Sequence, residues 1–93
     1  MNIETIKAQI VEVLKKYPIK HASLFGSFSR NEQSEGSDID ILIEASESFT
    51  LFQLLRLENE LTETLSIKTD IVEFKAIKSS IRERVLAEAI SIL

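Results

Sequence analysis

The sequence predicts a small α/β (α+β) fold, a mixed sheet of three or four strands with helices packed on it. Three observations lead there. The chain has 93 residues, 44% of them hydrophobic and 28% charged, enough apolar material for one modest core. Some segments repeat apolar residues at helical spacing and others alternate them at strand spacing. The two kinds of segment follow one another as α-β-α-β-α-β-α, the pattern of a sheet covered by helices. No internal repeat, low-complexity tract or linker interrupts the order, so residues 1–93 are expected to form a single domain.

Residues 2–16 read as the first helix. Asn2 can cap its start, and Ile3, Ile6, Ile10, Val13 and Leu14 share one face. Lys15 and Lys16 suit its C-terminal end, and Pro18 stops it. His21 to Phe25 is a short strand that runs into Gly26. Ser27 to about Gln33 reads as a short helix and Ser34 to Ser37 as loop. Asp38 to Glu44 is a strand with Ile39, Ile41 and Ile43 on one face. Residues 50–65 form the next helix, capped by Thr50, with a stripe of Leu51, Leu54, Leu55, Glu58, Leu61 and Leu65. Ile67 to Phe74 reads as a third strand. Ser79 or Ser80 opens a last helix through Ile81, Val85, Leu86 and Ala89. The final AISIL is open to either reading, as more helix or as a short edge strand.

Composition excludes several functions. No apolar run approaches the roughly 18–20 residues that span a membrane, and the N-terminus lacks a basic-then-apolar signal layout. With no cysteine, disulfides and thiolate metal sites are excluded, and a cytoplasmic location is expected. The single His21 cannot build a multi-histidine zinc site and is expected to be structural or exposed. A net charge of −4 argues against direct nucleic-acid binding, which needs clustered Lys and Arg. A nucleotide held through a metal ion is compatible with that charge, because the cation neutralises the phosphates.

Carboxylates placed among strand residues carry the chemistry. In a strand, positions i and i+2 face the same side, roughly 6.6 Å apart, so Asp38 and Asp40 project together. Such a pair repels unless a cation such as Mg²⁺ is shared. Alone, an Asp-x-Asp is ordinarily just a strand opening. Asp70, set in the apolar run IKTDIVEF, reaches the same place if its strand lies beside the first. Three carboxylates can hold two Mg²⁺ about 3.5–4 Å apart for phosphoryl transfer. Glu73, an odd number of residues from Asp70, should face the other way. Upstream, Gly26-Ser27 joins a strand to a helix, a junction able to offer amides and a hydroxyl to phosphate. Arg30 follows one turn later and can add charge.

Taken together, Leu24-Phe25-Gly26-Ser27-Phe28-Ser29-Arg30, ten residues from Phe28 to Ser37, and Ser37-Asp38-Ile39-Asp40 resemble a known motif. It is that of the DNA polymerase beta-like nucleotidyltransferase superfamily, in its minimal nucleotidyltransferase (MNT) branch. The resemblance covers essentially the whole chain; Ser29 and Asn31 flank Arg30 where many relatives have alanine and glycine. It implies the polymerase beta-like fold. It implies two Mg²⁺ on Asp38, Asp40 and Asp70, and ATP on Gly26, Ser27, Arg30 and Ser37. It implies transfer of AMP to a hydroxyl. Larger relatives carry an acceptor-binding domain, which is not expected after residue 93. Minimal members instead pair with a HEPN-domain toxin, and some adenylylate a tyrosine on it as its antitoxin. By resemblance that is the leading reading, with a homo- or hetero-oligomer compatible with it. The alternative is a non-catalytic antitoxin that neutralises its partner by complex formation. Transfer to a small molecule or an RNA end is disfavoured by the acidic charge and the lack of an acceptor pocket domain.

Overall fold

The computed structural model describes residues 2–26 and 38–93. The expected helix over Ser27–Gln33 and the loop to Ser37 lie outside the described residues. Helix α1 spans Ile3–Leu14, and the Glu4 N–H donates to Asn2 Oδ1 at 2.8 Å, so Asn2 caps it. Strand β1 spans Ile19–Phe25, two residues longer at its start than the sequence suggested. It begins directly after Pro18, whose fixed φ already favours extended chain. Strand β2 spans Ile39–Ala45. Helix α2 spans Leu51–Leu65, and Thr50 and Gln53 cap each other reciprocally at its N-terminus. Strand β3 is shorter than expected, Thr69–Glu73. A 3-10 turn over Phe74–Ala76 follows, then helix α3, Ser79–Glu88. The final segment resolves as strand β4, Ile90–Ser91.

The sheet runs in the order β3-β2-β1-β4. β2 lies antiparallel to β1 and parallel to β3, and β4 adds antiparallel to β1. The parallel pair requires a crossover, which α2 provides. Helices α1 and α2 cover one face. There Ile6, Ile10, Leu14, Leu57 and Leu61 pack with Ala22, Leu24, Ile39, Ile41, Ile43 and Ile71. Ile39, Ile41 and Ile43 are fully buried, as their alternation predicts.

Two expectations about helix faces are corrected. In α2 the buried residues are Leu57, Leu61 and Leu65, whereas Leu51 and Leu55 are 70% and 51% exposed. Leu54, Leu57, Leu61 and Leu65 follow helical spacing equally well, and tertiary packing selects that face. Glu58, placed in the apolar stripe, instead accepts a hydrogen bond from the Ile71 N–H at 3.0 Å. In α3 no residue is buried, and Ile81 and Leu86 are exposed. Arg82 ties the helix to the turn before it, donating from Nη2 to the Ile77 carbonyl at 3.0 Å and lying over the Phe74 ring at 5.1 Å.

Candidate active site

The face of the sheet away from α1 and α2 carries a row of three paired residues. Phe25 of β1 lies opposite Asp40 of β2, and Asp40 lies opposite Asp70 of β3. Their strand neighbours Leu24, Ile39, Ile41, Thr69 and Ile71 are all buried, so alternation sends Asp40 and Asp70 to the second face. Parallel pairing in this register brings together two carboxylates thirty residues apart in sequence. Glu73 pairs with Ile43, a core position, and thus belongs to the opposite face, as expected.

Helix α2 fixes the register of β3. The Thr69 N–H donates to Thr62 Oγ1 at 3.1 Å and the Ile71 N–H donates to Glu58 Oε2 at 3.0 Å. These amides flank Asp70 on the strand's outer edge, which would otherwise be open to another strand. On the inner side, the Ile39 N–H donates to the Lys68 carbonyl at 2.9 Å and aligns the two strand starts. Glu58 and Thr62 are positioning residues that sequence reasoning missed. Their signal was a polar pair at i, i+4 on a helix otherwise apolar toward the sheet.

Gly26 ends β1 with φ +73°, the left-handed region that favours glycine. A Cβ at that position would lie 2.5 Å from Asp40 Oδ2. No side chain fits there, so the backbone of the turn passes directly against the carboxylate. Burial pushes the Asp40 carboxyl above its usual range, and the charges of Asp70 and Asp38 add to the rise. Asp38 sits just before β2, partly exposed, with Lys68 Nζ 3.9 Å from its Oδ2. Lys68 is solvated, as expected for a surface lysine, and it stands beside the site.

The structure therefore unites Gly26, Asp38, Asp40 and Asp70. Ser27, Arg30 and Ser37 lie outside the described residues. Among the described residues, no group of three or more carboxylate or imidazole side chains is arranged as a metal-ligating cluster. The donor chemistry nevertheless suits a hard divalent cation, because the oxygens are carboxylate and Asp40 carries repulsion that such a cation removes. His21 is exposed, as foreseen.

A mixed sheet with α1 and α2 on one face, and acidic residues beside a glycine turn on the other, fits the nucleotidyltransferase class. Residues 8–93 match the family described as "Polymerase beta, Nucleotidyltransferase", and the chain belongs to that family. It is 45% identical over 93 residues to MJ0435 of Methanocaldococcus jannaschii, named a protein adenylyltransferase, with 100% of both chains covered. A solved minimal nucleotidyltransferase superposes with a TM-score of 0.86 at 32% identity, covering 97% of this chain and 95% of that one. The fold is also that of the MNT antitoxin in complex with the tri-AMPylated HEPN toxin of Shewanella oneidensis. That TM-score is 0.78 at 19% identity, covering 99% of this chain and 72% of that one.

Proposed function

We propose that the protein transfers AMP from ATP to a hydroxyl, a tyrosine hydroxyl, of a HEPN-domain partner and acts as the antitoxin of that pair. The observation that carries this reading is the row that sets Asp40 against Asp70 with the Gly26 turn pressed on Asp40. The name of the M. jannaschii relative and the AMPylated complex of the S. oneidensis protein support the donor and the partner.

In this reading Asp38, Asp40 and Asp70 hold two Mg²⁺, which supply charge neutralisation for the phosphates and the attacking oxygen. The turn at Gly26 receives the β and γ phosphates, and the family motif assigns Ser27, Arg30 and Ser37 to the same nucleotide. The absence of a side chain at Gly26 lets the backbone of the turn close on Asp40, whose Oδ2 occupies the place of a Cβ. Asp40 and Asp70 would place the α-phosphate over the sheet through the cations they hold, and the acceptor's proton leaves to a carboxylate oxygen of Asp70. The chain's work is positioning and charge balance.

Incubation with α-labelled ATP, Mg²⁺ and the product of the neighbouring gene tests the proposal. Label should appear on the partner and fall by about a hundredfold or more with Asp40→Asn, the scale for losing a group that acts on the reacting centre. A wild-type protein that leaves the partner unlabelled would contradict it. One observation favours the second reading, neutralisation by binding alone. Leu51 and Phe52 are 70% and 86% exposed, apolar surface that a partner could cover. Full neutralisation by the Asp38→Asn, Asp40→Asn double variant would establish that reading instead.

A further inference from the structure

Beyond the carboxylate row, the same sheet face holds a cavity of about 210 Å³ between the strands and α3. Ser23, Leu42, Phe74 and Leu86 line it, with His21 and Glu44 at the end remote from the carboxylates. We propose that this cavity seats the aromatic ring of the acceptor tyrosine while its hydroxyl lies on the Asp40–Asp70 row. The inference rests on the transfer reading above and adds where the acceptor enters and which residues select it.

Three observations support it. First, the features succeed one another along the strands. Gly26 lies beyond Phe25, then comes the row Phe25–Asp40–Asp70, then Ser23–Leu42–Val72, then His21–Glu44. An in-line displacement places the attacking oxygen opposite the leaving group. With pyrophosphate at the Gly26 turn, the attacking oxygen enters from the Leu42 side. Second, successive rows on one face are roughly 6.6 Å apart, about the length of a phenol. A hydroxyl on the carboxylate row thus leaves its ring on Leu42. Third, Leu42 is buried between the carboxylate row and the His21–Glu44 end of the same face, and Leu86 of α3 lines the cavity beside it without filling it. An aromatic ring seated there would take the apolar surface of Leu42, Phe74 and Leu86 out of water. A serine or threonine acceptor would leave the cavity empty.

In the step itself the phenolic oxygen forms a bond to the α-phosphorus as the bond to the bridging oxygen of pyrophosphate breaks. The electron pair of that bond leaves with pyrophosphate, and the phenolic proton goes to an Asp70 carboxylate oxygen and then to solvent.

Leu86 is 48% exposed, so replacing it does not endanger the fold. Leu86→Trp, which fills the cavity, should lower kcat/KM for the partner about tenfold or more, the scale of one lost ring contact. Kd for α,β-methylene-ATP with Mg²⁺ should stay within about twofold of wild type, one RT-scale change. Leu86→Met, near in volume, should retain activity. Independently of turnover, N-acetyltyrosinamide should shift the Leu42 and Leu86 methyl resonances saturably in the wild type and not in Leu86→Trp. The inference is overturned if α,β-methylene-ATP alone shifts those methyls, which would give the cavity to the nucleoside, or if the tyrosine analogue shifts neither. Methyl shifts in a protein that labels no partner would sink the transfer reading and leave the ring subsite standing. Labelling without the shifts would do the reverse.

Discussion

At the scale of single residues, Gly26 and Asp40 constrain one another. The turn needs φ +73°, and the carboxylate occupies the place of a Cβ. Gly26→Ala should therefore destabilise the protein by about 1–3 kcal/mol in urea unfolding and also displace Asp40, so that transfer is lost along with stability. Asp40 itself is stabilising only when protonated. Its folded-state pKa is raised by burial, then by Asp70 and Asp38, so its favourable contribution holds below the unfolded value and disappears as pH rises through the folded one. At neutral pH the ionised group is a burden on the metal-free protein. Asp40→Asn should raise the melting temperature of that form by a few degrees, given that ~1 kcal/mol moves a domain of this size by about 4–8 °C. The same substitution should abolish transfer, and a fall in melting temperature would count against the electrostatic account. The Asp38-x-Asp40 spacing and Gly26 were legible in sequence because strand alternation and glycine chemistry are local. The close approach of Gly26 to Asp40 was not, because it depends on how β1 lies against β2.

At the scale of elements, α2 shows where sequence periodicity stops deciding. Leucines three and four residues apart allowed two faces, one through Leu51 and Leu55 and one through Leu54, Leu57 and Leu61. Only the packing of α2 across β2 and β3 selects the second, with Leu57 fully buried and Leu55 half-exposed. Leu57→Ala should cost about 2–5 kcal/mol, whereas Leu55→Ala should change stability by under about 0.5 kcal/mol. Equal effects in chemical denaturation would restore the other face. The capped starts of α1 and α2 were readable because a cap is set by the residue beside it, Asn2 or Thr50. The hydrogen bonds from β3 to Glu58 and Thr62 were not, because each joins residues from different elements. The strand ending of the chain was undecidable for the same reason. β4 exists by pairing with Ser23 and Leu24.

At the scale of the whole molecule, a polar clamp joins the end of α1 to α2 behind the core. Lys16 Nζ lies 2.6 Å from Glu60 Oε2, and Tyr17 donates from its hydroxyl to Glu60 Oε1 at 2.9 Å. Tyr17 also meets the Phe49 ring edge-on, with centroids 6.4 Å apart. Hydrogen bonds from Lys16 and Tyr17 hold the Glu60 carboxyl below its ordinary range, so its contribution is present above the unfolded value and lost as pH falls through the folded one. Burial and the Glu60 hydrogen bond raise the Tyr17 phenol, whose contribution is present below its unfolded value and lost as pH rises through the folded one. The clamp should thus give a stability plateau between the two titrations. Tyr17→Phe should lower it by about 1 kcal/mol and flatten the alkaline limb, as read by thermal melts across pH. The sheet with helices packed on it was legible from element order and apolar spacing, whereas the closing strand β4 and the buried face of α2 were not. Asp38, Asp40 and Asp70 stood out in the sequence as strand carboxylates, and setting Asp40 beside Asp70 needed the parallel register of β2 and β3.

Asp40 and Asp70 face each other across that register and should act as one unit in transfer. The direct test is a cycle of label transfer from α-labelled ATP to the proposed HEPN partner, comparing Asp40→Asn, Asp70→Asn and the double variant. Residues that act as a unit lose nearly everything singly, so each single variant and the double should fall to about the same residual rate. An Asp70→Asn protein that transfers at the wild-type rate, or losses that simply multiply in the double variant, would contradict it.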